Sequence, residues 1–247
     1  MSLKFLYLHL HGLIRSNNLE LGRDSDTGGQ TQYVLELVKS LANTSEVDQV
    51  DIVTRLIKDS KVDSSYSKEQ EFIVPGARIL RFQFGPNKYL RKELFWPYLD
   101  ELTQNLIQYY QKYENKPSFI HAHYADAGYV GVRLSQALKV PFIFTGHSLG
   151  REKKRKLLEA GLKINQIEKL YCISERINAE EESLKYADIV VTSTKQESVS
   201  QYSQYHSFSF EKSKVIAPGV DHTKFHHIHS TTETSEIDNM MLPFLKD

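Results

Sequence analysis

Through most of its length the chain alternates short apolar runs with segments of helical spacing. The run Leu3-Lys4-Phe5-Leu6-Tyr7-Leu8-His9-Leu10 suits a buried first strand, and Tyr33, Val34, Leu37, Val38 and Leu41 then recur at helical spacing between Thr31 and Ala42. Val47–Thr54 reads as a second strand, and Phe72–Val74 and Arg78–Phe84 flank a Pro75-Gly76 turn. Leu99, Leu102, Leu106 and Tyr109–Tyr110 make Tyr98–Tyr113 an amphipathic helix. Strands at Phe119–His123, Val140–Thr145 and Asp188–Thr192 alternate with helical segments at Asp126–Leu138, around Glu152–Gly161, Ile164–Tyr186 and Lys195–Tyr205. This alternation predicts an α/β fold, a Rossmann-like, doubly wound, mainly parallel sheet with helices on both faces. The body spans residues 1–218, and the polar stretch 219–247 reads as a linker or tail.

Such sheets bind ligands beyond the carboxyl ends of their strands. The chemistry-bearing residues fall there: Gly28–Gln30 after the first strand, His123–Tyr124 after a middle one, Gly146–Ser148 after the next, and Ser193–Gln196 after Asp188–Thr192. Paired glycines at a helix start let backbone amides approach a ligand, and free N–H groups there favour an anion. Asp26 or Thr27 is placed to cap that helix, and Ser193-Thr194 with Gln196-Glu197 makes a capping arrangement for a later one. His147, in a strand-end loop, is suited to donate to a hydroxyl or, when protonated, to stabilise a phosphate. Arg151–Lys156 carries five basic groups in six residues; most belong to a solvated helix face, and one or two are able to turn back toward an anion.

Composition removes several classes. The formal net charge is +0, with 31 basic and 31 acidic residues, which gives no drive toward nucleic acid or an anionic membrane. No segment reaches the roughly 18 apolar residues of a membrane span. The single cysteine, Cys172, excludes an intrachain disulfide and fits a reducing compartment. With no signal-peptide pattern at the N-terminus, the expectation is a cytoplasmic protein. His222, His226, His227 and His229 invite a metal reading, but the tail offers neither cysteine nor an ordered framework, so no metal is expected. Gly146-His147-Ser148-Leu149-Gly150 fits the letters of a nucleophile elbow, but a hydrolase also needs a later acid and histidine, and His222, the histidine that could be invoked, lies in the tail. The first loop lacks the G-x-G-x-x-G of a nicotinamide dehydrogenase.

Longer matches are more specific. His11–Arg15, Asn18–Thr31, His123–Gly128, Phe144–Arg151 and Arg176–Gln196 resemble the opening of sucrose-phosphate synthases, especially the plant-type ones, and the likeness continues to about Phe225. The resemblance implies the amino-terminal, acceptor-binding lobe of a retaining GT-B glycosyltransferase, moving glucose from UDP-glucose to fructose 6-phosphate. It implies no cofactor, UDP-glucose being the donor substrate. It places Gly28 and Gly29 near the donor diphosphate and His147 near the transferred glucose. Gln30, Lys88, Tyr124, Ser148, Lys153 and Arg176 fall around the acceptor, with Lys153 and Arg176 on its phosphate. The family pattern has two adjacent arginines where this chain has Glu175 before Arg176, a departure that bears on the acceptor phosphate. A sucrose synthase-like transferase using fructose and a non-catalytic sugar-phosphate-binding module are the alternatives. The family's grip on the nucleotide lies largely in a second lobe, for which no room follows Pro218. The expected partners are therefore a sugar phosphate, a nucleotide sugar and a second-lobe region or chain, and this chain alone is expected to transfer little.

Overall fold

The computed structural model describes residues 2–112 and 116–220. The tail histidines at 222, 226, 227 and 229 and most of the stretch 219–247 lie outside the described residues. Described residues through Ile216 form one compact unit. Its eight strands are β1 (Leu3–Leu8), β2 (Val47–Arg55), β3 (Gln70–Val74), β4 (Ala77–Phe82), β5 (Phe119–His123), β6 (Phe142–Thr145), β7 (Ile189–Thr192) and β8 (Ser213–Val215). They pair in the order β3-β4-β2-β1-β5-β6-β7-β8. Only β3 runs antiparallel, joined to β4 by the Pro75-Gly76 turn.

The helices are α1 (Gly29–Ala42), α2 (Leu99–Lys112), α3 (Ala125–Leu138), α4 (Gly150–Glu159), α5 (Ile164–Tyr171), α6 (Ile173–Tyr186) and α7 (Lys195–Ser200). Central strands of a sheet covered on both faces are apolar at successive positions, and β1 shows this. Leu6 and Leu8 enter a core with Leu102, Leu106, Val130, Phe142 and Leu184, on the side of α2, α3 and α6. Tyr7 enters the opposite core with Val34, Leu35, Val38, Val50 and Ile52, under α1. Each fully buried aliphatic side chain contributes roughly 1.5–3 kcal/mol. Gly128 sets the close packing of α3 on α6, since a Cβ there would fall 2.3 Å from Ser183 Oγ.

The helical stretch expected over Ile164–Tyr186 is two helices. Cys172 takes the left-handed conformation (φ 44°) between them. Glu168 secures the break by accepting from Ser174 N at 3.2 Å and Ser174 Oγ at 2.7 Å. The helix expected to reach Tyr205 stops at Ser200, because Tyr202 turns into the core, where its hydroxyl accepts from Gly146 N at 2.8 Å. At its start, Thr194 Oγ1 accepts from Glu197 N at 3.0 Å and Glu197 Oε2 from Ser193 N at 2.7 Å, a reciprocal cap. Among the described residues no helix is long and apolar enough to cross a membrane. The chain winds from β1 toward β2 on one side, while β5 lies on the other. The loops leaving β1 and β5 diverge there, at the point where this sheet type opens a crevice.

Candidate functional site

A cavity of about 700 Å³ occupies that crevice. The β1 side contributes His11, Ser25, Asp26 and Gly28–Gln30. The β5, β6 and helical side contributes Tyr124, Ser148, Lys153, Tyr171 and Arg176, and the segment before α2 adds Arg91, Lys92 and Glu93.

The start of α1 is open toward this space. Neither Asp26 nor Thr27 caps the helix: the N-cap is Gly28, with no side-chain cap. Both candidates are committed elsewhere. Thr27 Oγ1 accepts from Leu13 N at 3.0 Å, and Asp26 accepts from Lys92 N at 2.9 Å and from Lys92 Nζ. The helix has no acidic residue in its first turn, and a Cβ at Gly28 or Gly29 would meet no atom within 4 Å. Packing inside the protein therefore does not require these glycines; what they leave is room for a ligand against uncapped amides. Gly12 is the opposite case. Its φ is +76°, and a Cβ there would come 2.4 Å from the Asp26 carbonyl oxygen, so the glycine holds the loop against the strand end.

The same cavity is also lined by cationic side chains. Arg176 is 3% exposed and donates through Nε to Glu180 Oε1 at 3.0 Å and through Nη2 to the Ser148 carbonyl. Its guanidinium lies 4.5 Å from the centre of the Tyr124 ring. Glu180, fully buried, also accepts from Gly150 N and the Tyr205 hydroxyl, which fixes the start of α4. From that helix Lys153 reaches the cavity, with Nζ 3.9 Å from the Tyr171 ring centre. Burial, then repulsion from Arg176 and Lys92, brings Lys153 down to about 8. Burial works to raise the Asp26 carboxyl, but its bonds with Lys92 leave it below the usual value. Tyr124 holds φ 82°, a conformation costing of order 1–3 kcal/mol in a non-glycine residue. It is pinned by Tyr124 N donating to Thr145 O at 2.9 Å and by Gly128 N donating to Tyr124 O at 2.8 Å.

A group of histidines runs from the cavity lining, at His11, to positions behind it. His123 Nδ1 is 2.8 Å from His147 Nε2, and His121 Nε2 is 2.8 Å from Thr145 Oγ1. His9 Nε2 is 3.3 Å from Thr31 Oγ1, and His11 Nδ1 is 3.0 Å from Asp126 Oδ2. Burial first, then the other imidazoles, depresses His9 and His123 well below 6.5 and brings His121 and His147 to about 3.

Of the residues expected from sequence, Gly28, Gly29, Gln30, Tyr124, Ser148, Lys153 and Arg176 line one cavity. His147 is not on its lining; its ring packs edge-on to Tyr33 at 5.3 Å and toward His123, and it stays neutral at physiological pH. The Lys88 side chain is exposed and off the cavity, while its carbonyl accepts from Arg55 Nη1 at 2.8 Å. Arg91 and Lys92, not singled out from sequence, supply cations there instead. Glu175 is exposed and does not line the cavity, so the carboxylate beside Arg176 does not oppose an anion there. Of the basic run Arg151–Lys156 only Lys153 lines it, whereas Arg155 pairs on the surface with Glu152 and Glu159. Among the described residues no group of three or more His, Cys, Asp or Glu is placed to hold a metal ion.

The fold is similar to that of a sucrose-phosphate synthase from Thermosynechococcus elongatus, with a TM-score of 0.71 and 23% identity over 95% of this chain and 53% of that one. It is also similar to Anabaena HepE, solved in complex with UDP-glucose, with a TM-score of 0.57 and 15% identity over 97% of this chain and 50% of that one. This is the fold of one lobe of a GT-B glycosyltransferase. The chain is 42% identical over 229 residues to the sucrose-phosphate synthase of Spinacia oleracea, covering 81% of this chain and 22% of that protein. It is 39% identical over 275 residues to a probable sucrose-phosphate synthase of Vicia faba, covering 92% of this chain and 26% of that protein. The family described as the sucrose synthase first GT-B domain matches residues 2–237, and the chain belongs to it. It spans about a quarter of the length of these curated relatives.

Proposed function

We propose that this chain is the acceptor-binding lobe of a glycosyltransferase that moves glucose from UDP-glucose to fructose 6-phosphate with retention at the anomeric carbon. One observation carries the reading: a single cavity is lined both by the uncapped start of α1 and by Lys92, Lys153 and Arg176. Such a cavity offers two anion sites, as two phosphorylated substrates require. The names of the relatives and the UDP-glucose bound to HepE support the same pairing.

In this reading the acceptor phosphate lies against Lys153 and Arg176, with Lys92 at its edge, and Ser148, Gln30 and Tyr124 take its hydroxyls. The donor diphosphate lies at Gly28–Gly29, where backbone N–H groups stabilise the charge that develops as the sugar departs. His147 is uncharged and off the cavity lining, with Nε2 2.8 Å from His123 Nδ1, so this reading leaves it only hydrogen bonding through Nδ1 toward the transferred glucose. Catalysis is then positioning and charge stabilisation, with no covalent enzyme intermediate. A second lobe supplies the grip on the nucleotide, and this chain by itself turns over little.

Calorimetric titration with fructose 6-phosphate, with fructose as the control, tests the acceptor. Binding that depends on the phosphate and falls in Lys153→Ala and Arg176→Ala is the expected result. Equal binding of the two sugars would favour the sucrose synthase-like reading, and no binding of either would sink the acceptor assignment.

A further inference from the structure

We infer that Glu93 is the specificity residue that recognises hydroxyl groups of the acceptor. The inference rests on the acceptor reading above and goes further into the same cavity. Lys92, Lys153, Arg176 and the α1 amides all present hydrogen-bond donors. A wall of donors suits a phosphate but accepts inorganic phosphate as readily as a sugar phosphate. Choosing the sugar requires an acceptor that only its hydroxyls satisfy, and unpaired polar groups in a site are what reject the ligand lacking them.

Two carboxylates line the cavity, Asp26 and Glu93. Asp26 is committed: Oδ2 accepts from Lys92 N at 2.9 Å and Oδ1 from Lys92 Nζ. Glu93 is not. Its side chain is 10% exposed, yet its buried Oε2 makes no hydrogen bond. Arg91 Nη2 lies 3.2 Å from Oε2 and Lys92 Nζ lies 3.6 Å from Oε1, ion-pair contacts outside hydrogen-bond geometry. The backbone here is tied down, because the Glu93 carbonyl accepts from Cys172 Sγ at 3.4 Å. The carboxylate is therefore held in place with acceptor capacity unspent. It also lines a recess of about 10 Å³ beside the cavity, with Lys92, Trp96, Tyr124, Asp126 and Tyr171 around it. That is room for a single hydroxyl or water, not for a sugar ring, so the sugar itself lies in the main cavity.

The test is calorimetric titration of the whole chain, its Glu93→Gln variant and its Glu93→Asp variant with fructose 6-phosphate and with inorganic phosphate. Wild-type protein is expected to prefer the sugar phosphate by at least about tenfold, and both variants to lose most of that preference. In Glu93→Gln the affinity for inorganic phosphate should hold or rise, because a negative charge has left the cationic wall. In Glu93→Asp the oxygens withdraw but the charge remains, so phosphate affinity should hold; this variant carries the test if the first does not fold. An equal loss of both ligands would show that Glu93 only arranges Arg91 and Lys92, and would overturn the inference. So would an unchanged preference in the variants, or a wild-type protein with no preference. Failure of wild-type protein to bind either ligand would instead overturn the acceptor reading, and the inference with it.

Discussion

Arg176 Nε lies 3.0 Å from Glu180 Oε1, and the two side chains are 3% and 0% exposed. Burial raises the Glu180 carboxyl, and Arg176, Tyr205 and the Gly150 amide act against that. A pair this deep is poor evidence of net stability, since desolvating two ions offsets their attraction. Its effect is geometric: one carboxylate sets the guanidinium against Ser148 and the start of the helix that carries Lys153.

Removing one partner leaves the other charge buried alone. Arg176→Ala and Glu180→Ala should each lose about 3–5 kcal/mol of unfolding free energy. The double variant should lose less than the sum of the two. Urea unfolding of the four proteins measures this, and strict additivity would count against a coupled pair.

Lys153 supplies a pH limb to anion binding. Its ammonium sits at about 8, so the charge that attracts a phosphate is present below that value and is lost as the pH rises through it. The acceptor phosphate gains its second charge near pH 6. Affinity for fructose 6-phosphate should thus be greatest between about pH 6 and 8 and fall above. Lys153→Ala should bind roughly 10–100-fold more weakly at neutral pH and lose the alkaline limb. Titrations across this range decide it.

Gly12 and Gly29 are expected to respond oppositely to alanine. Gly12→Ala drives a methyl group against the Asp26 carbonyl from a left-handed backbone, so unfolding should become easier by more than about 1–3 kcal/mol. Gly29→Ala meets open space at a helix start and should shift stability by no more than about 1 kcal/mol in either direction. The second variant should nevertheless weaken binding of UDP-glucose or pyrophosphate, measured in parallel with the unfolding curves. Intact anion binding in Gly29→Ala would show that the ligand sits elsewhere.

Acid should unfold the lobe early. His9, His121, His123 and His147 are held neutral in the fold, below the ordinary 6.5 of a histidine. The unfolded chain takes up these protons first, so the stability is intact above 6.5 and drains as the pH falls below it. For His121 and His147 the loss continues down to about 3. Each contributes a slope of up to about 1.4 kcal/mol per pH unit. Urea midpoints at pH 7.5, 6.5 and 5.5 should decline steeply; a flat series would contradict the burial of this group.

The strands and most helices were legible because apolar runs and helical spacing are local properties, and β1, β5 and α2 fall within two residues of where those patterns place them. The break at Cys172 was not. Nothing in its own letters requires φ 44°, and the Glu168 carboxylate that secures it acts through the fold. The acceptor side was read from Lys153 and Arg176, but Arg91–Glu93 sit in a segment of short 3-10 turns without periodicity. The tie that brings Lys92 to the cavity is made by Asp26, 66 residues away. A further signal for the site is local. His9 and His11, like His121 and His123, are spaced by two, so each pair falls on one face of an extended segment.

The neutral state of those histidines has a consequence for the direction in which Gln30 can speak to a ligand. Gln30 Nε2 lies 3.1 Å from His9 Nδ1 and 3.4 Å from the His123 carbonyl oxygen. A carbonyl only accepts, so this end of the amide must be the NH2, and both of its hydrogens are spent inward. His9 then keeps its proton on Nε2 and gives it to Thr31 Oγ1. The end of Gln30 left with free capacity is Oε1, an acceptor. The His123 carbonyl thereby assigns polarity to a side chain that shape alone would leave ambiguous, and the uncharged His9 ring is consistent with it. Under the proposed acceptor reading, Gln30 Oε1 would receive a hydrogen from a sugar hydroxyl, and a bare phosphate oxygen would find no donor in that side chain.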